Sequence, residues 1–167
     1  MIETAKTEAP ARPDGLQPVE RSYQQVIRVR TLLAWLPVVI GAVVLDRLVL
    51  AHTPVGGLLL VAAPLLALLT AVTAPPRIWG RLGYALEPAM LRVVRGWLFH
   101  IDTLVPLVRV QHLDVARGPL DKMFGTATLA IHTAGTHNSI VSLPGLSPAR
   151  AAELAAAIRT HIKADLD

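Results

Sequence analysis

The stretch from Pro54 to Ala74, PVGGLLLVAAPLLALLTAVTA, carries no charged side chain. As a helix rising about 1.5 Å per residue it spans about 30 Å, the thickness of a bilayer's hydrocarbon core. A second apolar segment, Thr31 to Leu45, reaches the same span when it continues through Asp46 and Arg47 into Leu48–Ala51. A chain of 167 residues does not leave enough material to cover two such helices in water. The spacing therefore predicts a transmembrane hairpin over about 31–51 and 54–74. Asp46 and Arg47 are the only charges between Thr31 and Ala74. Both lie near a helix end, so Arg47 is expected to snorkel and Asp46 to meet interfacial water, in preference to a transport role. Gly41 with Ala42, and Gly56 with Gly57, Ala63 and Ala67, offer small-residue surfaces for close helix packing.

The flanks decide orientation. Arg21, Arg28 and Arg30 precede the first helix and Arg77, Arg81 and Arg92 follow the second, whereas the connecting loop offers only Arg47. By the positive-inside rule both termini face the cytoplasm and the turn around His52, Thr53 and Pro54 faces outward, as expected of a multi-pass protein of the inner cell membrane. Residues 1–30 read as a polar N-terminal tail and juxtamembrane segment, disordered from Met1 to about Val19 and without the apolar core of a secretory signal. Residues 75–167 are left to build one cytoplasmic domain.

Beyond Arg81 the apolar period changes to two, the mark of strands. Leu82–Glu87, Met90–Arg95 and Trp97–Asp102 are separated by Pro88 and Gly96, and in the last of them Trp97, Phe99 and Ile101 share a face. Val108 and Val110 share one parity while Leu113 and Val115 share the other, which predicts a bulge or break near Gln111 and His112. Gly118 and Pro119 read as a turn, Thr126–Thr133 as a strand with Ala127, Leu129 and Ile131 inward, Gly135–Asn138 as a hairpin turn, and Ser139–Leu143 as the next strand. Ser147 is placed to cap a helix over about 148–164, with Pro148 at its first position. Ala151, Leu154, Ala155, Ile158 and Ile162 make its apolar face, and Arg150, Glu153, Arg159 and Lys163 its wet one. Many strands followed by one helix imply an α+β protein: an antiparallel β-sandwich or partly open barrel with a C-terminal amphipathic helix capping it.

The run from Val105 to Gly135, VPLVRVQHLDVARGPLDKMFGTATLAIHTAG, has a specific look. Pro106-Leu107, Arg109-Val110-Gln111, Gly118-Pro119-Leu120, Phe124-Gly125 and Thr133-Ala134-Gly135, with Trp97 upstream, resemble the bacterial pleckstrin-homology-like membrane proteins of the YdbS type. The layout of two membrane helices followed by one domain is similar along the whole chain. The resemblance implies two nearly orthogonal antiparallel sheets of about seven strands with a C-terminal helix closing one end, and it implies no fixed activity. It also implies a partner class, since larger relatives carry several copies of the domain alongside small members. Apart from family, Gly118 and Gly125 suit positive-φ turn or bulge positions, and Phe124 with Leu120 suits anchoring the loop between them.

Chemistry-bearing constellations are absent from the sequence. With no cysteine there is no disulfide, thiolate nucleophile or thiolate metal site. His100 with Asp102, and His112 with Asp114, have the two-residue spacing of ligands on one strand face, but any polar strand face shows that spacing and no HExxH-type motif accompanies it. Ser139, Ser142 and Ser147 lack a nucleophile elbow, and no phosphate-binding or dinucleotide glycine loop is present. No cofactor, metal or catalytic residue is therefore expected. After Ala74 ten Lys and Arg face seven Asp and Glu, and aromatics make up 4% of the chain, which argues against nucleic acid. The expected function is a non-enzymatic, membrane-anchored interaction subunit whose domain binds another membrane protein, a multi-copy relative being the candidate, through Arg109 and Gln111. The alternative is an anionic-lipid-sensing module that uses Arg77, Arg81, Arg92 and Arg95.

Overall fold

Two long apolar segments in one chain fold as two long helices. In a computed structural model that describes residues 15–97, 99–134 and 140–164, helix α1 runs over Tyr23–Leu45 and continues as a π-helical turn at Asp46–Leu50. Helix α2 runs over Leu58–Arg81. At 28 and 24 residues, both are long enough to cross a membrane. The second helix begins four residues later than the charge pattern suggested, because 51–57 form the connecting turn, and it ends seven residues beyond Ala74. Pro75 and Pro76 lie inside it.

The chain divides into two units, the helical hairpin of 24–79 and a domain made of residues up to Tyr23 together with those from Gly80 onward. Within the hairpin most of the leucines point outward. Leu32, Leu33, Leu36, Leu65, Leu66, Leu68 and Leu69 are all exposed, while Ala63, Ala67, Ala71 and Ala74 on one face of α2 are buried. Gly56 and Gly57 belong to the turn and Gly41 is exposed, so of the small-residue surfaces expected for close packing only Ala63 and Ala67 are buried. Pro75 has no N–H for the carbonyl of Ala71 four residues back. The Arg28 Nε of α1 supplies that donor at 3.3 Å. Asp46 is 1% exposed and does not meet water: both carboxylate oxygens accept the Gly57 N–H at 3.0 Å, which ties the π-helical turn to the start of α2. The π-helical turn frees local geometry for that capture.

The domain consists of two antiparallel sheets. Strands β1 (Gln17–Pro18), β2 (Gly83–Leu86), β3 (Met90–Arg95) and β4 (Ile101–Pro106) form the first in sequential order. Strands β5 (Val110–Ala116), β6 (Ala127–Thr133) and β7 (Ile140–Leu146) form the second. A 3-10 turn at Leu107–Arg109 joins β4 to β5, a short helix α3 (Pro119–Phe124) joins β5 to β6, and helix α4 (Pro148–Ala164) follows β7. The sheets do not close into a barrel. Inward positions carry the core: Leu91, Val93, Leu107, Leu129, Ile131, Leu143 and Ile158 are fully buried, each stabilising by about 1.5–3 kcal/mol. Helix α4 lays Ala151, Leu154, Ala155 and Ile158 into that core against β5, β6 and the 3-10 turn. Ser147 Oγ accepts the Arg150 N–H at 3.3 Å, as an N-cap does.

Several expectations are corrected. Trp97, Phe99 and His100 are not in a strand: β3 ends at Arg95 and β4 starts at Ile101. Gly118–Pro119 open helix α3 instead of a simple turn, and Gly118 has φ −72°, so only Gly125, at φ +68°, takes the left-handed conformation expected of both. The bulge is found, as a register shift between Val110 and His112. Pro144 and Gly145 lie within β7, which runs on to Leu146. The hairpin turn expected at Gly135–Asn138 lies outside the described residues, as does Ser139.

Gly15–Val19, expected in the disordered tail, are structured where described. Gln17 and Pro18 pair with Tyr84 and Gly83, Leu16 and Val19 are buried, and the Glu20 N–H donates to the Gly145 carbonyl at 2.8 Å. This short segment thus bonds to β2 of the first sheet and to β7, an edge strand of the second. Gly145, at φ +80°, lies against the Tyr23 ring, where any Cβ would stand 2.6 Å from Cγ.

Candidate functional site

The motif run from Val105 to Gly135 resolves first into structural work. Gly118 caps α3, and the N–H of Gly118 donates to Asp121 Oδ2 at 3.1 Å. Asp121 is buried, and its Oδ1 accepts the Thr126 hydroxyl at 2.8 Å while its carbonyl accepts the Thr126 N–H at 2.8 Å. One carboxylate therefore ties both ends of the Gly118–Thr126 segment together, a role for Asp121 that the expected Leu120–Phe124 contact had left out. Among the described residues no buried side-chain nitrogen or oxygen lacks a hydrogen-bond partner. Every buried polar side-chain atom among them is thus already satisfied within the protein.

Arg109 and Gln111 are both exposed, on either side of the junction between the 3-10 turn and the bulged start of β5. Their backbone is held from beneath. Leu107 is fully buried with its N–H on the Ala89 carbonyl at 3.0 Å, and the Arg109 carbonyl accepts the Ala134 N–H at 2.9 Å. Val108 is 73% exposed beside them. A bulge on a fixed backbone aims side chains outward with little freedom to lose on binding.

The four arginines expected to meet lipid do different things. Arg92 makes a bidentate pair with Asp102, Nε to Oδ2 at 2.9 Å and Nη2 to Oδ2 at 2.6 Å, with Nε also 3.1 Å from Oδ1. That pair holds the Asp102 carboxyl below its ordinary range, with a smaller contribution from nearby His100. Arg95 is three residues along the same strand and so projects from the opposite face of β3. Arg81, the last residue of α2, donates from Nη1 to the Trp97 carbonyl. Arg77 is exposed on α2 and returns Nη1 to the Thr73 carbonyl at 3.2 Å. Of the four, Arg92 has its charge matched by a carboxylate.

The two His–Asp pairs also part company. Asp102 turns to Arg92, and His100 stays exposed next to β4. Asp114 instead joins His112 and His132: His112 Nε2 lies 2.8 Å from Oδ1 and His132 Nε2 3.1 Å from Oδ2. The sequence spacing missed His132 because it sits directly across the ladder, paired with His112, on β6. The two imidazoles meet edge to face, with centroids 5.5 Å apart. The trio lies on an exposed sheet face, and no group of three such side chains among the described residues is arranged to hold a metal ion. It acts as a cross-strand polar latch.

Residues 29–162, hairpin and domain together, match the family described as Bacterial PH domain. A stretch of 40 residues is 52% identical to the transmembrane protein YdbS of Bacillus subtilis (strain 168), covering 24% of this chain and 25% of that protein. The match thus spans a quarter of the relative's length. No solved structure matches.

Proposed function

The chain belongs to the bacterial PH domain family and is a membrane-associated PH-like protein, and from that premise we propose that it is a non-enzymatic anchored subunit whose domain binds another membrane protein. The observation that carries the reading is the exposed Val108–Arg109–Gln111 edge, one apolar and two polar side chains held out by a buried Leu107 and a bulged strand. Interfaces of this mixed kind, with arginine beside apolar surface, are typical of protein–protein contacts. The counterpart proposed is a membrane protein that displays an acidic side chain toward this edge, a multi-copy PH-like relative being the leading candidate. Both termini and the domain are placed on the cytoplasmic side of the inner membrane in this reading, by the arginines that flank the hairpin.

The test is gentle detergent extraction of the tagged full-length chain from native membranes, with co-purifying proteins compared against an unrelated two-helix control. A stoichiometric membrane protein that is retained by the wild type and lost from Arg109→Ala/Gln111→Ala supports the reading. Equal recovery by the double variant, or recovery of no partner across extraction conditions, rejects it.

A further inference from the structure

The connection between β3 and β4 is an odd place for aromatic side chains. Trp97 is 49% exposed and Phe99 is 74% exposed, and neither lies on a sheet face, because β4 begins only at Ile101. The connection is tightly closed. Gly96 has φ +146°, and a Cβ there would run into the Phe99 carbonyl, so the backbone turns back on itself and leaves the two rings outside. Exposing two large aromatics to water is unfavourable, and soluble surfaces rarely collect them without a use.

The position of this connection along the chain supplies the use. The Arg81 guanidinium donates to the Trp97 carbonyl, and Arg81 is the last residue of the membrane-length helix α2. The first charge after the apolar run of α2 is Arg77, one helical turn before Arg81 and so about 6 Å along the axis. A headgroup layer is about 5–8 Å thick on each side of a bilayer. Arg81, and the backbone bonded to it, therefore fall at headgroup depth. Trp79 occupies the same last turns of the helix, in the usual place of an interfacial tryptophan. Arg95 stands at the base of the connection, paired in register with Ile101, and adds a second positive charge there, of the kind an anionic leaflet attracts.

We propose that the Gly96–His100 connection is an interfacial anchor, with Trp97 and Phe99 inserted at the headgroup–acyl boundary of an anionic bilayer and with Arg81 and Arg95 at the phosphates. It does not depend on the protein-partner reading. Arg92, engaged with Asp102, takes no part in it.

The test uses the absence of cysteine in the full-length chain. Phe99→Cys and, as a reference, Met123→Cys, which is equally exposed at 74% but lies on α3, are each labelled with an environment-sensitive fluorophore. Both are reconstituted into phosphatidylethanolamine–phosphatidylglycerol vesicles. The expected result is a blue-shifted label at position 99, quenched by nitroxide-labelled lipid and several-fold less accessible to aqueous iodide than the label at 123. A second variant, Trp97→Ala in the Phe99→Cys background, should restore iodide access several-fold while the reference label is unchanged. Equal iodide access at 99 and 123 in these vesicles overturns the proposal. Protection at 99 that appears only in native membranes, and not in pure lipid, also overturns it and assigns the aromatics to a protein partner.

Discussion

In helix α2 the leucines Leu65, Leu66, Leu68 and Leu69 are exposed and the alanines Ala63, Ala67 and Ala71 are buried, whereas in strand β6 Leu129 and Ile131 are wholly buried and the neighbouring positions are polar or small. The two regions are inside-out relative to each other. In lipid, large apolar side chains gain nothing by turning inward, so the helix contact is made by small residues that let backbones approach. In water, the large side chains are the driving force. Polar burial, by contrast, is handled identically in both. Asp46 in the hairpin and Asp121 in the domain are each almost fully buried, and each accepts the backbone N–H of a nearby glycine. An unpaired buried donor is costly in either medium.

This comparison is sharpened most by truncating one leucine from each region. Leu129→Ala should destabilise the domain by about 2–5 kcal/mol, because it opens a cavity in a packed core. Leu65→Ala, on the exposed face of α2, should cost well under about 1 kcal/mol, since lipid fills the space it leaves. Hydrogen-exchange protection of the full-length protein in vesicles reads both. A cost at Leu65 equal to that at Leu129 would show that a protein surface, not lipid, covers this face.

The next effect is smaller and tests the shared rule for buried carboxylates. Asp121→Ala and Asp46→Ala should each cost about 1–3 kcal/mol by stranding a glycine N–H, with Asp121 the larger because it also holds the Thr126 hydroxyl. The domain's thermal midpoint reports the first, and resistance of the hairpin to unfolding by a denaturing detergent reports the second. Recovery of most of the loss by Asp46→Asn would identify hydrogen bonding, not charge, as what the hairpin needs.

The smallest effect is on the domain's surface. Arg92 lowers the Asp102 carboxyl from its ordinary value of 3.8. The pair's contribution is therefore complete above that value, and it is lost as the pH falls through the lower folded value, because the unfolded carboxyl takes up its proton first. Its partial exposure limits the contribution to less than about 1 kcal/mol. The stability difference between the wild type and Asp102→Asn, followed from about pH 7 to about pH 3, should shrink toward zero at the acid end. A difference that grows with acid would reverse the assignment.

Local pattern was a good guide wherever one short stretch contained all the information. Met90–Arg95, bounded by Pro88 and Gly96, is a strand over those residues, and the parity change around Gln111 is the observed register shift. The cap at Ser147 and the spacing from Ala151 to Ile158 define α4. Pattern misled at Trp97–Asp102, because an aromatic connection closed by Gly96 alternates as a strand does. Of the residues expected to form a site, Arg109 and Gln111 are exposed, and Arg92 is paired with Asp102 across the β3–β4 ladder.

The lipid-facing hairpin, the change of period after Arg81 and the helix that ends the chain follow from hydrophobicity and spacing alone, since each depends on neighbours within a few turns or a few strand residues. Other features exist only once distant segments meet. Gln17–Glu20 bond to the edges of β2 and β7, Arg28 supplies the donor that Pro75 denies to Ala71, and His132 joins His112 and Asp114 across a ladder. Their partners lie tens of residues away or on another element. Which donor finds which acceptor there is decided by strand register and helix packing, quantities that no local window of side chains contains.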